Sequence, residues 1–306
     1  MAHTPGDLGR DTAAVARPAP GDAAAGGGGG GGWTIDLPDT WDYQLPSGGV
    51  LQTASLRAAV AELGDADLRL VSCATIFCTP VAPGRLDADV TVLRRGGSVA
   101  QVRVAVRARD AVEPGLETVA TFARDRVGPD VVGARPLAVP RPAACPPLVE
   151  DDGPGAARLP RFFRNFDCRL AAGDRFWDPG WTAGPARSLR WYRYRVPPRD
   201  AAGRLDRLAL PPVIDIMPPA LVQAIGPGGY RFFAPSLDLT VHVVDDTDRE
   251  WLLIAAYARR ARAGYAIAEV EVWDDADRLL AYGTQCMYIR GLAGTPPTGV
   301  VAPPDW

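Results

Sequence analysis

Apolar and polar residues alternate along the stretch from Ser236 to Arg290. It contains runs rich in Val, Ile, Leu, Tyr and Trp, separated by turns with Asp, Arg and Gly. β-branched and aromatic residues at a period of two predict antiparallel strands rather than a helix. On the last strand, the period places Gln285 in a row with small and apolar residues, namely Ala281, Gly283, Met287 and Ile289. Because a buried amide is costly without partners, we expect a polar group to meet Gln285 there.

The N-terminal third shows a different order, a helix followed by strands. Positions 50–63, VLQTASLRAAVAEL, have apolar residues at helical spacing. Short strands are predicted before the helix, in WTIDL and WDYQL. Longer ones are predicted after it, near positions 68–79, 85–94, 99–109 and 117–124.

The second half of the chain repeats this order. Strands are predicted in FFRNFDCRLA and SLRWYRYRV, followed by a helix whose first turn contains Pro218 and Pro219 and then by the strands of positions 236–290. An offset of about 165 residues places Thr75 on Thr240 and the strand QVRVAVRA on AIAEVEVW. The pattern predicts an internal duplication, with each helix wrapped by its own curved sheet.

Segments rich in Pro, Gly and Ala separate and flank the two predicted units. Residues 1–32 end in a glycine run and predict a disordered leader. Residues 127–160 predict an extended linker rather than a packed element, and residues 293–306 a tail. The two folded units are therefore expected at residues 33–126 and 161–292.

Composition excludes several classes of function. The 306 residues are 47% hydrophobic with a net charge of -3, so no global field attracts nucleic acid or an anionic membrane. Every cationic side chain other than the two histidines is arginine, which removes lysine Schiff-base chemistry. No uninterrupted apolar run is expected to span a bilayer. The five scattered cysteines, with no CxxC pair, predict reduced thiols in the cytoplasm and no structural zinc.

Together, the segments SLDLTVH, WLL, GYA with VEVWD, LLAYGTQ and DIMPPAL resemble the double hot-dog acyl-CoA thioesterase family, often called thioesterase II. The resemblance covers residues 33–290 and is strongest in the second half. It implies an α+β fold in which two helix-wrapping antiparallel sheets, in tandem, join into one continuous sheet. The unit at 33–126 would be the N-terminal hot-dog and that at 161–292 the catalytic C-terminal one.

The resemblance also implies the residues that hold the hydrolytic water, Asp215, Ser236 and Gln285, and no cofactor or metal. Asp215 stands in an apolar segment, so we expect a half-buried carboxylate with a raised pKa that acts as a general base. N–H groups of the helix near Pro218 would polarise the thioester carbonyl. Strict alternation, however, places Ser236 on the strand face opposite Leu237 and Leu239, so its side chain is not expected to point into the core.

Each of these residues also has a structural explanation. Asp215 lies three residues before Pro218 and suits a helix N-cap. Ser236 suits an ordinary strand entry, and Gln285 suits a bond to a neighbouring backbone group. An acid–histidine pair of the kind that hot-dog dehydratases use is offered by Asp238 and His242, which strand geometry places about 13 Å apart.

Three arginines at a predicted turn, Arg259, Arg260 and Arg262, suit the phosphates of coenzyme A or simply a solvated turn. The first half has Arg124 and Val71 where the alignment places Gln285 and Ser236, so we expect one active site per chain.

The sequence thus predicts a cytoplasmic enzyme of lipid metabolism that hydrolyses an acyl-CoA or carrier-bound acyl thioester to the free acid. The alternatives are a hot-dog lyase or acyltransferase in a specialised biosynthetic pathway, and a non-catalytic acyl-binding protein. Neither nucleic acid nor a membrane is expected as a partner, and association into a homo-oligomer is compatible with a fold of this kind.

Overall fold

The computed structural model describes residues 4–17, 31–149, 159–227 and 231–292; the predicted tail lies outside them. Within these ranges there are four α-helices: α1 (Leu8–Asp11), α2 (Gly48–Leu63), α3 (Leu210–Ile214) and α4 (Pro218–Ile225). The strands are β1 (Val15–Ala16), β2 (Gly32–Leu37), β3 (Arg69–Phe77), β4 (Gly84–Arg95), β5 (Val99–Ala108), β6 (Leu116–Ala123), β7 (Phe166–Ala172), β8 (Arg187–Tyr194), β9 (Phe232–Phe233), β10 (Asp238–Val243), β11 (Leu252–Arg262), β12 (Tyr265–Asp274), β13 (Leu279–Tyr288) and β14 (Arg290–Gly291).

Twelve of the described strands form one antiparallel sheet in the order β1-β2-β4-β5-β6-β3-β10-β13-β12-β11-β8-β7. The two halves meet at its centre, where β3 pairs with β10. The predicted fold class, two hot-dog sheets joined into one, is confirmed. The strands β9 and β14 form a separate two-stranded sheet. Strands β11 and β12 form a hairpin, which turns at Ala263 and Gly264, both with positive φ.

Helix α2 is buried on almost every side, because it is the axis around which the first sheet curves. Its side of the core includes Val50, Ala54 and Leu56, none of which is exposed to solvent. It packs against β2, β4, β5 and β6. Gly64 ends the helix in the left-handed conformation, with φ 57°. A helix that is apolar all round is typical of a wrapped core helix.

The corresponding helix of the second half is broken into α3 and α4. Proline has no N–H and disfavours helical geometry in the residue before it, so Pro218 and Pro219 begin a new helix. Asp215 follows the last residue of α3 and lies in the break. The Asp215 side chain therefore does not pack along a continuous helix, and it extends towards the first half of the chain.

The duplication is visible in the strand irregularities. In β4 the register shifts around Leu93, and in β11 it shifts around Arg259, each time opposite the same part of the following strand. A bulge is a specific local feature. Its recurrence, around Leu93 and around Arg259, supports the internal repeat, one residue away from the predicted offset of about 165.

Part of the predicted disordered leader is packed, so that prediction is wrong for residues 4–17. Leu8 is fully buried, and β1 pairs with β2 at one edge of the sheet. The indole of Trp41 donates to Asp11 at 3.1 Å. Trp41 itself belongs to a short 3-10 helix, Asp39–Trp41, so the strand predicted in WDYQL is also wrong.

The linker prediction is wrong in one respect, since the segment 134–148 packs against the outer face of the second sheet. Leu137, Val139 and Cys145 join a small cluster around Trp191 and Trp273. The Trp191 indole donates to a carbonyl of the same segment, Pro140 O, at 2.9 Å. The linker is extended, but it covers apolar surface.

One described helical segment, residues 207–225, is long and apolar enough by composition to cross a membrane, contrary to the expectation from sequence. However, 72% of its most apolar window is buried within the protein. A core helix meets the same criteria, and this segment contains α3 and α4, the core helices of the second hot-dog.

Candidate active site

The Gln285 amide is buried in the row of small and apolar residues that alternation predicts. Gln285 is 2% exposed, and its neighbours on the same face of β13, Ala281 and Met287, are fully buried. Its Nε2 donates to Asp215 Oδ1 at 2.6 Å and lies 2.5 Å from Ser236 Oγ. Its Oε1 has no hydrogen-bond partner among the described residues. The polar group expected opposite Gln285 is therefore the Asp215 carboxylate.

Four donors surround the Asp215 carboxylate, and they come from both halves of the chain. Oδ1 accepts from Gln285 and from the Ser236 hydroxyl at 3.0 Å. Oδ2 accepts from the Ser47 hydroxyl at 2.8 Å and from the Gly49 N–H at 3.0 Å. The N-cap of α4 is Met217, so Asp215 does not cap that helix.

Ser236 faces this site because the backbone bulges before β10. Thr240 pairs with Thr284 in regular register, whereas Ser236 bridges to Met287, one residue out of that register. The irregularity turns Leu237 partly outwards, to 36% exposure. The bulge thus points the Ser236 side chain into the site, an orientation that strict alternation does not predict.

The Asp238 side chain supports this bulge. Its Oδ1 accepts the N–H of Cys286 at 2.9 Å. A bulge disrupts the ladder locally, and a side-chain acceptor here satisfies a backbone donor on the neighbouring strand. Asp238 therefore has a structural role, because it stabilises the bulge that orients Ser236.

Burial dominates the electrostatics of Asp215. Desolvation raises the pKa of this carboxyl above its ordinary value, and the hydrogen bonds from Gly49, Ser47, Ser236 and Gln285 oppose that rise. The N-terminus of α2 adds a favourable partial positive charge. A carboxylate with a raised pKa and an open neighbouring cavity suits a general base.

A cavity of about 580 Å³ opens beside the carboxylate. Its polar groups are few, and Asp215 and Arg290 are the charged residues among the described ones that line it. Such a site suits a largely apolar ligand with a small number of polar anchor points. The lining is rich in aromatic rings, namely Tyr43, Phe77, Phe163, Phe176, Phe232, Phe233 and Tyr288.

The sequence prediction missed the contribution of the first half. Ser47 is the N-cap residue of α2 by position, yet its hydroxyl accepts no N–H of the helix and instead donates to Asp215. Gly48 and Tyr43 line the cavity. Burial, followed by the nearby Asp215, raises the pKa of the Tyr43 phenol well above its ordinary value, so the group remains a donor. The one signal in the sequence was the Ser-Gly-Gly turn directly before a helix.

The other predicted residues do not meet in the cavity. His242 is exposed, and neither it nor Asp238 belongs to the cavity wall. None of Arg259, Arg260 and Arg262 lines the cavity, and Arg259 pairs with Glu269. Their predicted contact with phosphates stays a prediction. Within the ranges that the structure describes, no group of three or more His, Cys, Asp or Glu side chains is placed to hold a metal ion.

Comparison with solved structures identifies the same fold in other proteins. A thioesterase structure from Novosphingobium aromaticivorans is 24% identical, covers 85% of this chain and 96% of its own, and has a TM-score of 0.69. Acyl-CoA thioesterase II TesB2 from Mycobacterium marinum is 20% identical over 94% of this chain and 100% of its own, with a TM-score of 0.68. A hot-dog protein of unknown function from Alicyclobacillus acidocaldarius is 19% identical over 94% and 98%, with a TM-score of 0.72.

Family profiles match both halves of the chain in the predicted order. The acyl-CoA thioesterase N-terminal domain matches residues 37–123, and the acyl-CoA thioesterase C-terminal domain matches residues 142–289. No curated protein sequence gives a significant match. The two profiles cover most of the chain and agree with its two hot-dog units, so this protein belongs to the acyl-CoA thioesterase family and is a thioester hydrolase.

Proposed function

We propose that the protein hydrolyses acyl-CoA to the free acid and coenzyme A with a water molecule activated by Asp215. The observation that carries this proposal is the buried carboxylate, held by four donors, at the wall of an apolar cavity. Its raised pKa favours proton acceptance from water. We extend the proposal to a cytoplasmic location and to acyl groups of lipid metabolism.

Water enters the site by replacing one of the hydroxyl donors. The four hydrogen bonds occupy the usual acceptor positions of a carboxylate. The hydroxyls of Ser47 and Ser236 both lie at the cavity wall and can rotate, whereas the Gly49 N–H cannot. The water then donates one hydrogen to Asp215 and the other to Gln285 Oε1, the buried acceptor without a described partner. This arrangement aims an oxygen lone pair into the cavity.

The chemical step needs no further base. The water oxygen forms a bond to the thioester carbonyl carbon while its proton passes to Asp215. When the tetrahedral intermediate collapses, the carbon–sulfur bond breaks, and the leaving thiolate takes that proton. The carbonyl oxygen, which becomes negative, is held by the first turn of α2, where Gly48 lines the cavity and helix N–H groups have no intrahelical partner. This assigns the oxyanion role to α2, rather than to the helix at Pro218 expected from sequence.

Thiol release from a panel of acyl-CoAs tests the proposal, with Gln285→Ala beside the wild type. Loss of the amide removes the donor to Asp215 and the acceptor for water, so we expect kcat to fall by about 100-fold, the lower range for a positioned acid–base partner. Thr284→Ala, on the opposite face of the same strand, is the control and should retain activity. A wild-type enzyme that releases no thiol from any acyl-CoA, or an undiminished Gln285→Ala, contradicts the proposal.

Ser236→Ala is expected to have a smaller effect. It removes one hydrogen bond to the carboxylate, which corresponds to roughly a 3- to 10-fold decrease in kcat. Ser236→Thr keeps the hydroxyl and should recover most of the rate. Steady-state kinetics of the two variants decide the matter: equal rates for both would mean that the hydroxyl takes no part.

A further inference from the structure

A buried cation, Arg190, lies in the core of the second hot-dog and has no ionic partner within the described part of the chain. Its exposed fraction is 6%. No carboxylate among the described residues forms an ion pair with it, although arginines elsewhere in the structure form many, such as Arg193 with Asp167. An isolated buried charge is costly, and arginine retains its charge. A group of this kind calls for an anion that the described residues do not supply.

The surroundings of Arg190 offer donors and apolar contacts. The guanidinium lies over the ring of Phe176, 4.8 Å from its centroid. On the same face of β8, the hydroxyl of Tyr192 is buried and donates to no described residue. Burial raises the pKa of this phenol, whereas the charge of Arg190 and its hydrogen bond to the phenol oxygen lower it. The phenol O–H is therefore a donor without a described acceptor, directly beside the guanidinium.

Two aromatic residues contact both this pair and the cavity beside Asp215. Phe176 covers Arg190 and also lines the cavity. Phe163, another lining residue, is 6.5 Å from the Tyr192 ring between centroids. Phe176 lies between β7 and β8, outside any helix or strand. The ring that contacts both the cavity and the guanidinium is therefore carried by a loop and not by the sheet.

The position of Arg190 in the sheet is distant from the proposed reaction site. Two strands, β12 and β11, stand between Gln285 on β13 and Arg190 on β8. Strand spacing alone separates their backbones by about 14 Å. Helix α4 packs against β8 and β11, and its residues Pro219 and Val222 line the cavity between the two ends. The acyl chain would pass along this apolar wall.

We propose that Arg190, with the Tyr192 hydroxyl, binds a carboxylate at the far end of the acyl group, so that ω-carboxyacyl thioesters are the preferred substrates. A planar guanidinium matches a carboxylate in a bidentate geometry. The apolar wall accepts the intervening methylene groups. This inference rests on the proposed thioesterase function and specifies its substrate class.

The wild-type enzyme provides the first test. kcat/KM is measured for succinyl-, adipyl-, suberyl- and sebacyl-CoA and for the methyl-ended acyl-CoAs of equal chain length. At the best-fitting length we expect the carboxyl-ended substrate to be favoured by about 10- to 100-fold, the range of a hydrogen bond to a charged group. Equal or better hydrolysis of the methyl-ended partner at every length overturns the inference and leaves the thioesterase function intact. No hydrolysis of any thioester would instead contradict the proposed function.

Arg190→Met tests the residue itself. We expect it to remove the preference for carboxyl-ended substrates and to leave kcat/KM for the methyl-ended ones within about twofold, since methionine fills a similar volume without a charge. Equal losses on both substrate classes, or no loss, contradict the assignment. Tyr192→Phe should weaken the preference in the same direction by a smaller factor.

The phosphates of coenzyme A are a second source of anionic groups. The same substrate pairs are therefore compared as N-acetylcysteamine thioesters, which lack phosphates. A preference for the carboxyl-ended thioester that persists there assigns Arg190 to the acyl end. A preference that disappears there, together with a general loss on all coenzyme A thioesters in Arg190→Met, overturns the assignment in favour of phosphate binding.

Discussion

Asparagine in place of Asp215 is expected to lower kcat for acyl-CoA hydrolysis by about 100- to 10,000-fold, with little change in KM. The amide keeps the shape of the side chain but cannot accept a proton from water. The Gln285 amide can rotate to present Oε1 to the new amide nitrogen, so the site remains hydrogen-bonded. Single-turnover and steady-state kinetics measure the loss.

The pH dependence of the wild-type enzyme follows from the same carboxyl. Activity requires the ionised form, so kcat/KM should rise with pH through the raised pKa of Asp215, above the ordinary range of an aspartate. A limb at the ordinary aspartate value, or an Asp215→Asn variant with wild-type activity, would remove Asp215 from the mechanism.

Asp215→Asn should also increase stability above the folded-state pKa of Asp215. Because the folded-state pKa is raised, the folded protein binds this proton more tightly than the unfolded chain, and ionisation costs stability at every pH above the folded value. As pH falls through the folded pKa towards the unfolded one, the wild type recovers that stability. The difference in free energy of unfolding between variant and wild type should therefore be greatest at high pH and vanish in acid. Denaturant unfolding across pH measures it, and a variant less stable than the wild type at high pH contradicts the sign.

Gly49→Ala is expected to damage both stability and catalysis. A Cβ at this position would stand 2.3 Å from the Pro211 carbonyl oxygen and 2.7 Å from Pro212 Cα, both backbone atoms that cannot move aside singly. The helices α2 and α3 would have to separate, at a cost of about 1–3 kcal/mol in the free energy of unfolding. The Gly49 N–H would move away from Asp215, and displacements of this order cost about 100-fold in rate.

Gly48→Ala is the matched control for this variant. The nearest atoms to its Cβ belong to the ring of Phe77, at 2.8 Å, and a side chain can rotate. Its effect on stability should therefore be clearly smaller than that of Gly49→Ala. Equal thermal stability of Gly48→Ala and Gly49→Ala would show that the close contact between α2 and α3 does not require glycine at position 49.

Local patterns were sufficient for the architecture. Alternation over positions 236–290 predicts strands because each pleated strand has one face towards a core, and this periodicity is contained in adjacent residues. The repeated order of helix and strands predicts the doubled unit for the same reason. The row around Gln285 even indicated a buried polar partner, since an amide among apolar neighbours must be satisfied.

Other features depended on contacts between distant segments. Residues 4–17 have the composition of a leader because they contain few large apolar residues. Leu8 nevertheless packs into the core, and Asp11 accepts a hydrogen bond from the Trp41 indole. The bulge that turns Ser236 inwards depends on pairing with β13, and no property of positions 235–238 encodes it alone.

Residue types and period were thus enough for the double hot-dog, and for Asp215, Ser236 and Gln285 as candidates through their resemblance to a known family. Tertiary packing decided how the candidates work. It brought the N-terminus of α2, with Ser47 and Gly49, to a carboxylate more than 160 positions along the chain, and it buried Arg190 where no described carboxylate reaches it. Hydrogen bonds and charge burial depend on which groups meet in space, and that information is absent from any local stretch of sequence.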